Sequence, residues 1–257
     1  MTTEEIWELY LQGKIEVAEA VATNELSMVA SLSIKQALHA ILAWCAYRRK
    51  EYDEALIEIA GAGDNQRACE CHAYVFAYAK GYEDDVKFLA LVREHLIGNI
   101  NASNALVIRA RMPDSVVEHE QVWRMAESFA EGADVSKHDV SLANLLHNCA
   151  RFFLDKACNR RDLTFSLGLI EVALAHYGEV SNWHHRAAAN FWKSHILEKL
   201  TAIPDAFAAA ALSLSLWECQ CAMEKKTAPF LDKLESVRAR VVDLAEKLVE
   251  FAKRAHA

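Results

Sequence analysis

Turn-forming residues are scarce in this sequence, and their scarcity is its strongest constraint on the fold. Only 8 glycines and 3 prolines are distributed over 257 residues, so few chain reversals are encoded and the elements between them must be long. Alanine, leucine and glutamate are abundant, and all three favour helices. We find no run of β-branched residues with the period of two that is typical of strands. The sequence therefore predicts an all-α protein.

Capping motifs and glycines predict where helices begin and end. Three segments have the form of a capping box, in which a hydroxyl and an acid or amide satisfy the first backbone N–H groups: Thr2-x-x-Glu5, Ser33-x-x-Gln36 and Ser115-x-x-Glu118. Most predicted helices are separated by only two to six residues. Because such short connections join neighbours that run in opposite directions, we expect antiparallel helix pairs.

A pattern of small and aromatic residues is present between His39 and Arg67. The first predicted helix carries small or aliphatic side chains, namely Leu42, Ala43 and Ala46. The second begins with an aromatic residue and continues with small or aliphatic ones, namely Tyr52, Ala55, Ile59 and Ala62. About 30 residues later the pattern returns as Ala73, Phe76, Tyr82 and Leu89. Asp85 stands there in place of the expected small residue. This pattern resembles tetratricopeptide repeats, although the proline at the end of each repeat is missing. The resemblance implies an α-solenoid of antiparallel helix pairs, in which Ala43 and Ala55 face each other.

The C-terminal half repeats with a longer period. Asn148 aligns with Asn190, 42 residues later, and the longer first helices resemble the extended repeats of the kinesin-light-chain type. A long last helix from Pro229 carries an apolar stripe and is expected to cap the stack. The stretch 98–135 does not match the pattern. It is predicted to be an irregular insertion within a single α-solenoid domain, 1–257.

Two polar stripes on the first helices of these longer repeats form the candidate partner-binding site. The earlier stripe is Asn144, Asn148, Arg151 and Asp155, and the later one is Arg186, Asn190 and Lys193. The predicted contacts to a partner are all of these except Asp155. Asparagine can hydrogen-bond a peptide backbone, and arginine and lysine can hold carboxylates. First helices line the concave face of a tetratricopeptide solenoid, so the resemblance implies that the stripes hold an extended, acidic peptide. The alternative is that they form the water-facing side of amphipathic helices.

Several classes of function are disfavoured by the sequence. The net charge of −8 argues against a nucleic-acid partner. No apolar run of about 18 residues and no signal peptide is evident, so we expect a cytoplasmic protein without a membrane partner. No motif for catalysis, metal or cofactor binding is present. Cys69-x-Cys71 and Cys219-x-Cys221 do not suggest a metal site, because helical residues two apart point about 200° apart. Those four cysteines are expected to be buried.

Three functional hypotheses remain from the sequence. The first is a non-enzymatic protein-interaction module that holds a partner peptide or helix in a concave groove. The second is an all-α regulator that responds to a small ligand or effector, with a pocket lined by Trp183, Trp192 and Trp217. The third is an enzyme without a recognisable motif. The oligomeric state is not predicted.

Overall fold

The computed structural model describes residues 1–79, 85–95, 98–178, 183–223 and 228–255. Within these ranges every regular element is a helix and no strand occurs, which confirms the predicted all-α class. The helices in chain order are α1 (Thr3–Leu11), α2 (Ile15–Met28), α3 (Leu32–Arg49), α4 (Tyr52–Ala62), α5 (Gln66–Tyr78), α6 (Asp85–His95), α7 (Ile100–Ala110), α8 (His119–Glu131), α9 (Val140–Asp155), α10 (Arg160–Tyr177), α11 (Trp183–Lys199), α12 (Ile203–Met223) and α13 (Ala228–Ala255). None of them, over the described residues, combines the length and apolar character that crossing a bilayer requires.

One of the three predicted capping boxes is formed. Thr2 Oγ1 accepts the backbone N–H of Glu5 at 3.2 Å, and Glu5 Oε2 accepts the backbone N–H of Thr2 at 2.8 Å. The motif at Ser33 is wrong as a helix start, because the extended cap residue is Ser31 and Ser33 already lies inside α3. The motif at Ser115 is also wrong. Its hydroxyl accepts the nearby N–H of Val117 at 3.2 Å, and α8 begins only at residue 119.

The chain divides into two compact units, Met1–Glu118 and His119–Ala257. The first contains α1 to α7 and the second contains α8 to α13. The boundary falls within the stretch 98–135, which contributes α7 to the first unit and α8 to the second. Neighbouring helices pack against each other in both units. The solenoid arrangement and the single domain stay predictions.

Small side chains fill the contact between α3 and α4 in the first unit. Ala55 on α4 is fully buried in a cluster with Ala46 of α3 and Val75 of α5. Ala43, also fully buried, packs instead in a cluster with Ile59. The pairing of Ala43 with Ala55 that the repeat pattern suggested is therefore shifted by about one helical turn.

The second match to the repeat pattern is described only in part. Ala73 and Phe76 are buried on α5, as a helix–helix contact requires. Leu89 lies half-buried on α6. Tyr82 and the side chain of Asp85 lie outside the described residues.

The second helices of two pairs in the second unit start at equivalent places in the chain. Arg160 begins α10 and Ile203 begins α12, 43 residues later. This interval is close to the period of 42 residues deduced from the sequence. The two pairs, α9 with α10 and α11 with α12, are in extensive contact.

The last helix, α13, packs on α12 through part of its predicted apolar stripe. Leu234 and Val237 are buried in a cluster with Trp217 of α12. Two turns further along, Leu244 is fully buried against Ala206. This helix thus closes one side of the core of the second unit.

Candidate functional site

A cavity of about 320 Å³ lies in the second unit, where four helices come together. Helix α9 contributes two lining residues four positions apart, and α11, α12 and α13 supply the rest. The lining residues are His147, Arg151, Ala188, Phe191, Trp192, Trp217, Lys233, Ser236 and Val237. No carboxylate is among them. The walls are therefore mainly apolar and aromatic, and the fixed charges on them are positive.

Two cations of this cavity lie against indole rings. The guanidinium carbon of Arg151 is 4.3 Å from the ring centroid of Trp192. The Nζ atom of Lys233 is 5.5 Å from the ring centroid of Trp217, which is only 4% exposed. At these distances a cation is attracted by the electron-rich face of the ring. Each contact places a cationic side chain at the cavity wall.

A buried hydrogen-bond chain lies behind the α9 side of the cavity. The Tyr177 hydroxyl donates to Asn144 Oδ1 at 2.9 Å and lies 3.3 Å from His147 Nδ1. Because the phenolic proton is directed to Asn144, the Nδ1 atom must carry a proton and donate to the phenolic oxygen. Burial raises the pKa of Tyr177, so the hydroxyl keeps its proton. The chain fixes the ring of His147, a cavity residue, in one orientation.

The first predicted stripe is only partly directed at the cavity. Asn144 accepts the bond from Tyr177 and is half-buried. Asn148, one turn later on α9, is also half-buried. Arg151, one further turn along, lines the cavity. Of the six residues predicted to contact a partner, Arg151 is the one that the structure places on the cavity wall.

The second stripe is occupied by contacts within the protein. Asn190 is 5% exposed, and its Nδ2 atom donates to the carbonyl of Arg186 at 2.9 Å, one turn earlier on α11. Lys193 Nζ lies 3.0 Å from Glu171 Oε1 on α10, so an acidic neighbour balances its charge. Arg186 is half-buried. The structure thus does not bring Asn190 and Lys193 together with Arg151 at the cavity.

Two of the three tryptophans proposed for a ligand pocket do line the cavity. Trp192 and Trp217 form parts of its wall, whereas Trp183 does not line it and packs on the core cluster to which Trp217 belongs. Sequence reasoning missed Lys233, which the fold brings in from α13. The sequence did contain one signal for it. Lys233 lies one turn before the buried Val237, and residues one turn apart lie on the same side of a helix, so Lys233 could have been expected near the packed side of α13.

The electrostatic environment around the cavity disfavours additional positive charge. The pKa of His185 is lowered to about 4, first by burial and then by the nearby charges of His184 and Lys233. His185 stacks on Tyr177 with ring centroids 5.2 Å apart. His185 is therefore neutral at physiological pH and adds no positive charge beside the two cations of the cavity.

Metal binding finds no support among the side chains that the structure describes. No group of three or more His, Cys, Asp or Glu residues there could hold a metal ion. Cys69 and Cys71 are buried, as expected, but the expectation was wrong for Cys219, which is exposed, and Cys221 is half-buried.

Comparison with known proteins gives no relative for this chain. No protein-family model, no curated protein and no solved structure matches it. The likeness to tetratricopeptide repeats therefore depends on the residues quoted from the sequence.

Proposed function

We propose that this protein is a non-enzymatic interaction module whose second unit binds an acidic segment of a partner protein at the cavity. The observation that carries the proposal is the placement of Arg151 and Lys233, each against an indole ring, on the wall of one apolar cavity. Arginine and tryptophan are enriched among the residues that dominate binding energy at protein interfaces.

The local charge supports an acidic partner despite the net charge of the chain. The whole sequence carries −8, so its overall field repels an acidic protein. The cavity has two cations and no carboxylate among its lining residues. An acidic segment is therefore attracted only where these cations lie, and a localised attraction of this kind provides specificity more than affinity. We expect binding to weaken as salt concentration rises, because exposed charges are screened within about 8–10 Å.

The repeat resemblance contributes a second line of support. In an α-solenoid of helix pairs, adjacent first helices provide an extended surface for a peptide. The first helices here are α9 and α11, and both contribute to the cavity wall. Asn148 lies one turn before Arg151 on α9 and is half-buried.

The proposal is tested by affinity capture with the full chain as bait, followed by mass spectrometry. Arg151→Gln and Lys233→Gln are compared with Arg124→Gln, which removes an exposed cation of the same unit that pairs with Glu120 on its own helix. We expect the parent and Arg124→Gln to recover the same partner, and each cavity variant to recover at least tenfold less. Equal recovery by all four proteins, with unchanged circular dichroism, would overturn the proposal.

A small-molecule regulator is the second candidate, because the cavity has a suitable size and lining. Its volume of about 320 Å³ lies at the lower end of the range of about 300–1,000 Å³ for small-molecule sites. Trp192 and Trp217, two of the tryptophans named for this alternative, line it. Native mass spectrometry of the purified protein distinguishes the two candidates. A co-purifying small molecule that Trp192→Ala releases favours the regulator.

A further inference from the structure

We infer that the group bound in the cavity is the C-terminal residue of a partner chain, with an apolar side chain inside and its carboxylate at Arg151 and Lys233. This inference rests on the proposed function and names the chemistry that the site recognises.

The lining requires a ligand that is both anionic and apolar. Phe191, Trp192, Trp217 and Val237 present hydrocarbon and aromatic surface. An internal aspartate or glutamate would supply the anion but leave that surface in contact with water, at a cost of about 25 cal/mol for each Å² left unburied. A C-terminal apolar residue carries a carboxylate and a large side chain on the same carbon atom, so it satisfies both parts of the wall at once.

Lys233 supplies the strongest reason for placing the carboxylate here. It contacts the Trp217 ring and forms no ion pair with any residue that the structure describes. By contrast, Lys193, on α11 of the same unit, is held by Glu171 at 3.0 Å. An exposed cation at an apolar wall that forms no ion pair with the described residues is a natural partner for an incoming carboxylate.

The cavity has room for the side chain of one terminal residue. Its volume of about 320 Å³ lies within the range of about 300–1,000 Å³ for small-molecule sites, which is enough for a single-ring group. The Ser236 hydroxyl, which also lines the cavity, can accept the N–H or donate to the carbonyl of the peptide bond that precedes the last residue. A free arylalkanoic acid has no peptide bond and cannot make this contact, so the contact would let the site distinguish a chain terminus from such an acid.

Three small probes test the inference on the full chain. N-acetylphenylalanine represents a C-terminal residue, N-acetylphenylalanine amide lacks the carboxylate, and 3-phenylpropionate lacks the peptide bond. Binding is followed through the indole N–H signals of Trp192 and Trp217 in proton–nitrogen correlation spectra, assigned with the Trp192→Phe and Trp217→Phe variants. We expect N-acetylphenylalanine to shift both signals with a Kd on the order of 1 mM, as small ligands typically show, and to bind at least tenfold more tightly than its amide.

Variants connect this binding to the cations. Lys233→Gln should weaken N-acetylphenylalanine at least fivefold. Lys253→Gln, which removes an exposed lysine near the end of the same helix, should leave the Kd unchanged. Equal binding of the acid and its amide would overturn the role of the carboxylate. Tighter binding of 3-phenylpropionate would overturn the assignment to a chain terminus and favour a free acid.

The inference and the proposed function can fail separately. If Arg151-dependent capture of a partner is observed but no probe shifts the indole signals, the C-terminal assignment is wrong and the interaction module stands. If N-acetylphenylalanine binds with the expected dependence on Lys233 but no partner protein depends on Arg151, the ligand chemistry stands and the interaction module is wrong.

Discussion

Arg240 is a buried cation that joins α13 to α11, and its replacement by methionine tests how the last helix is held. The guanidinium is 8% exposed. Its Nε and Nη2 atoms donate to the hydroxyl and carbonyl oxygens of Ser194, at 3.3 and 3.1 Å. Its Nη1 atom pairs with Glu198 at 2.6 Å and with Asp243 at 3.2 Å. Methionine retains much of the apolar stem and removes all four contacts.

The size of the effect follows from what the substitution leaves behind. Removing one partner of a fully buried ion pair costs about 3–5 kcal/mol, because the other charge stays buried without compensation. Glu198 is 25% exposed and keeps Lys247 at 2.6 Å, so the cost is reduced to the lower limit of that range or slightly below it. We expect Arg240→Met to reduce the free energy of unfolding by about 2–3 kcal/mol, which corresponds to a decrease in Tm of roughly 5–10 °C.

Thermal unfolding monitored by circular dichroism provides the measurement, and Arg238→Met is the matched control. Arg238 lies two residues earlier on the same helix and pairs with Glu218, and both side chains are about half exposed. Its loss should cost less than about 0.5 kcal/mol, because exposed ion pairs contribute little. If Arg240→Met were no more destabilising than Arg238→Met, the buried network would not be what holds α13.

The pH dependence of the same pair gives an independent check. Burial acts to raise the pKa of Glu198, but hydrogen bonds from Lys247 and Arg240 outweigh it and lower the pKa below the ordinary value of 4.5. A carboxylate with a depressed pKa stabilises the fold above pH 4.5, and this contribution is lost as pH falls through the folded-state value. The difference in stability between the parent and Arg240→Met should therefore shrink below pH 4.5. A difference that stays constant would contradict the role of this carboxylate.

Three further predictions concern packing, hydrogen bonding and protonation. Ala55→Leu should overpack the α3–α4 contact and cost about 1–3 kcal/mol; an unchanged Tm would show that this position can accept a larger side chain. Tyr177→Phe should cost about 1–2 kcal/mol, measured by urea unfolding, because the hydroxyl bond to Asn144 is lost in a buried site. The pKa values of His185 and His195 are both lowered to about 4 from 6.5, chiefly by burial. Folded-state protonation is thus disfavoured, so stability should decrease as pH falls from 6.5 to 4. A double substitution by glutamine should flatten this profile in thermal unfolding.

The fold class could be predicted from the sequence because it depends on local properties. Glycine and proline are rare enough that few turns are possible, and the helix-favouring composition fills the intervals between them. Helix starts are less predictable from short motifs. The box at Thr2 forms because an extended residue precedes the helix there, whereas the same pattern at Ser33 lies inside a helix whose cap is Ser31. The motif specifies side-chain chemistry but not the backbone conformation that the chemistry requires.

The candidate site could be predicted only in part, because it combines residues that are distant in sequence. Arg151 was found through the polar stripe on its own helix. Lys233 was missed, because no periodicity within α9 or α11 indicates which residue of α13 will lie beside them. The alignment over 42 residues also made Lys193 equivalent to Arg151. The alignment matches positions along the chain but does not predict which residues surround each cation in the fold. Lys193 lies beside Glu171 of α10.

A polar stripe on a helix predicts contact with water only when the helix packs against neighbours on a single side. The first helices here pack against more than one neighbour, so their polar residues find partners inside the protein. Asn190 bonds a carbonyl of its own helix, and Lys193 bonds an acid of the preceding one. Under the proposed function, what separates a binding cation from a structural one is therefore the charge of its neighbour. Glu171 neutralises Lys193, whereas the Trp217 ring attracts Lys233 and leaves its positive charge to act on an anion.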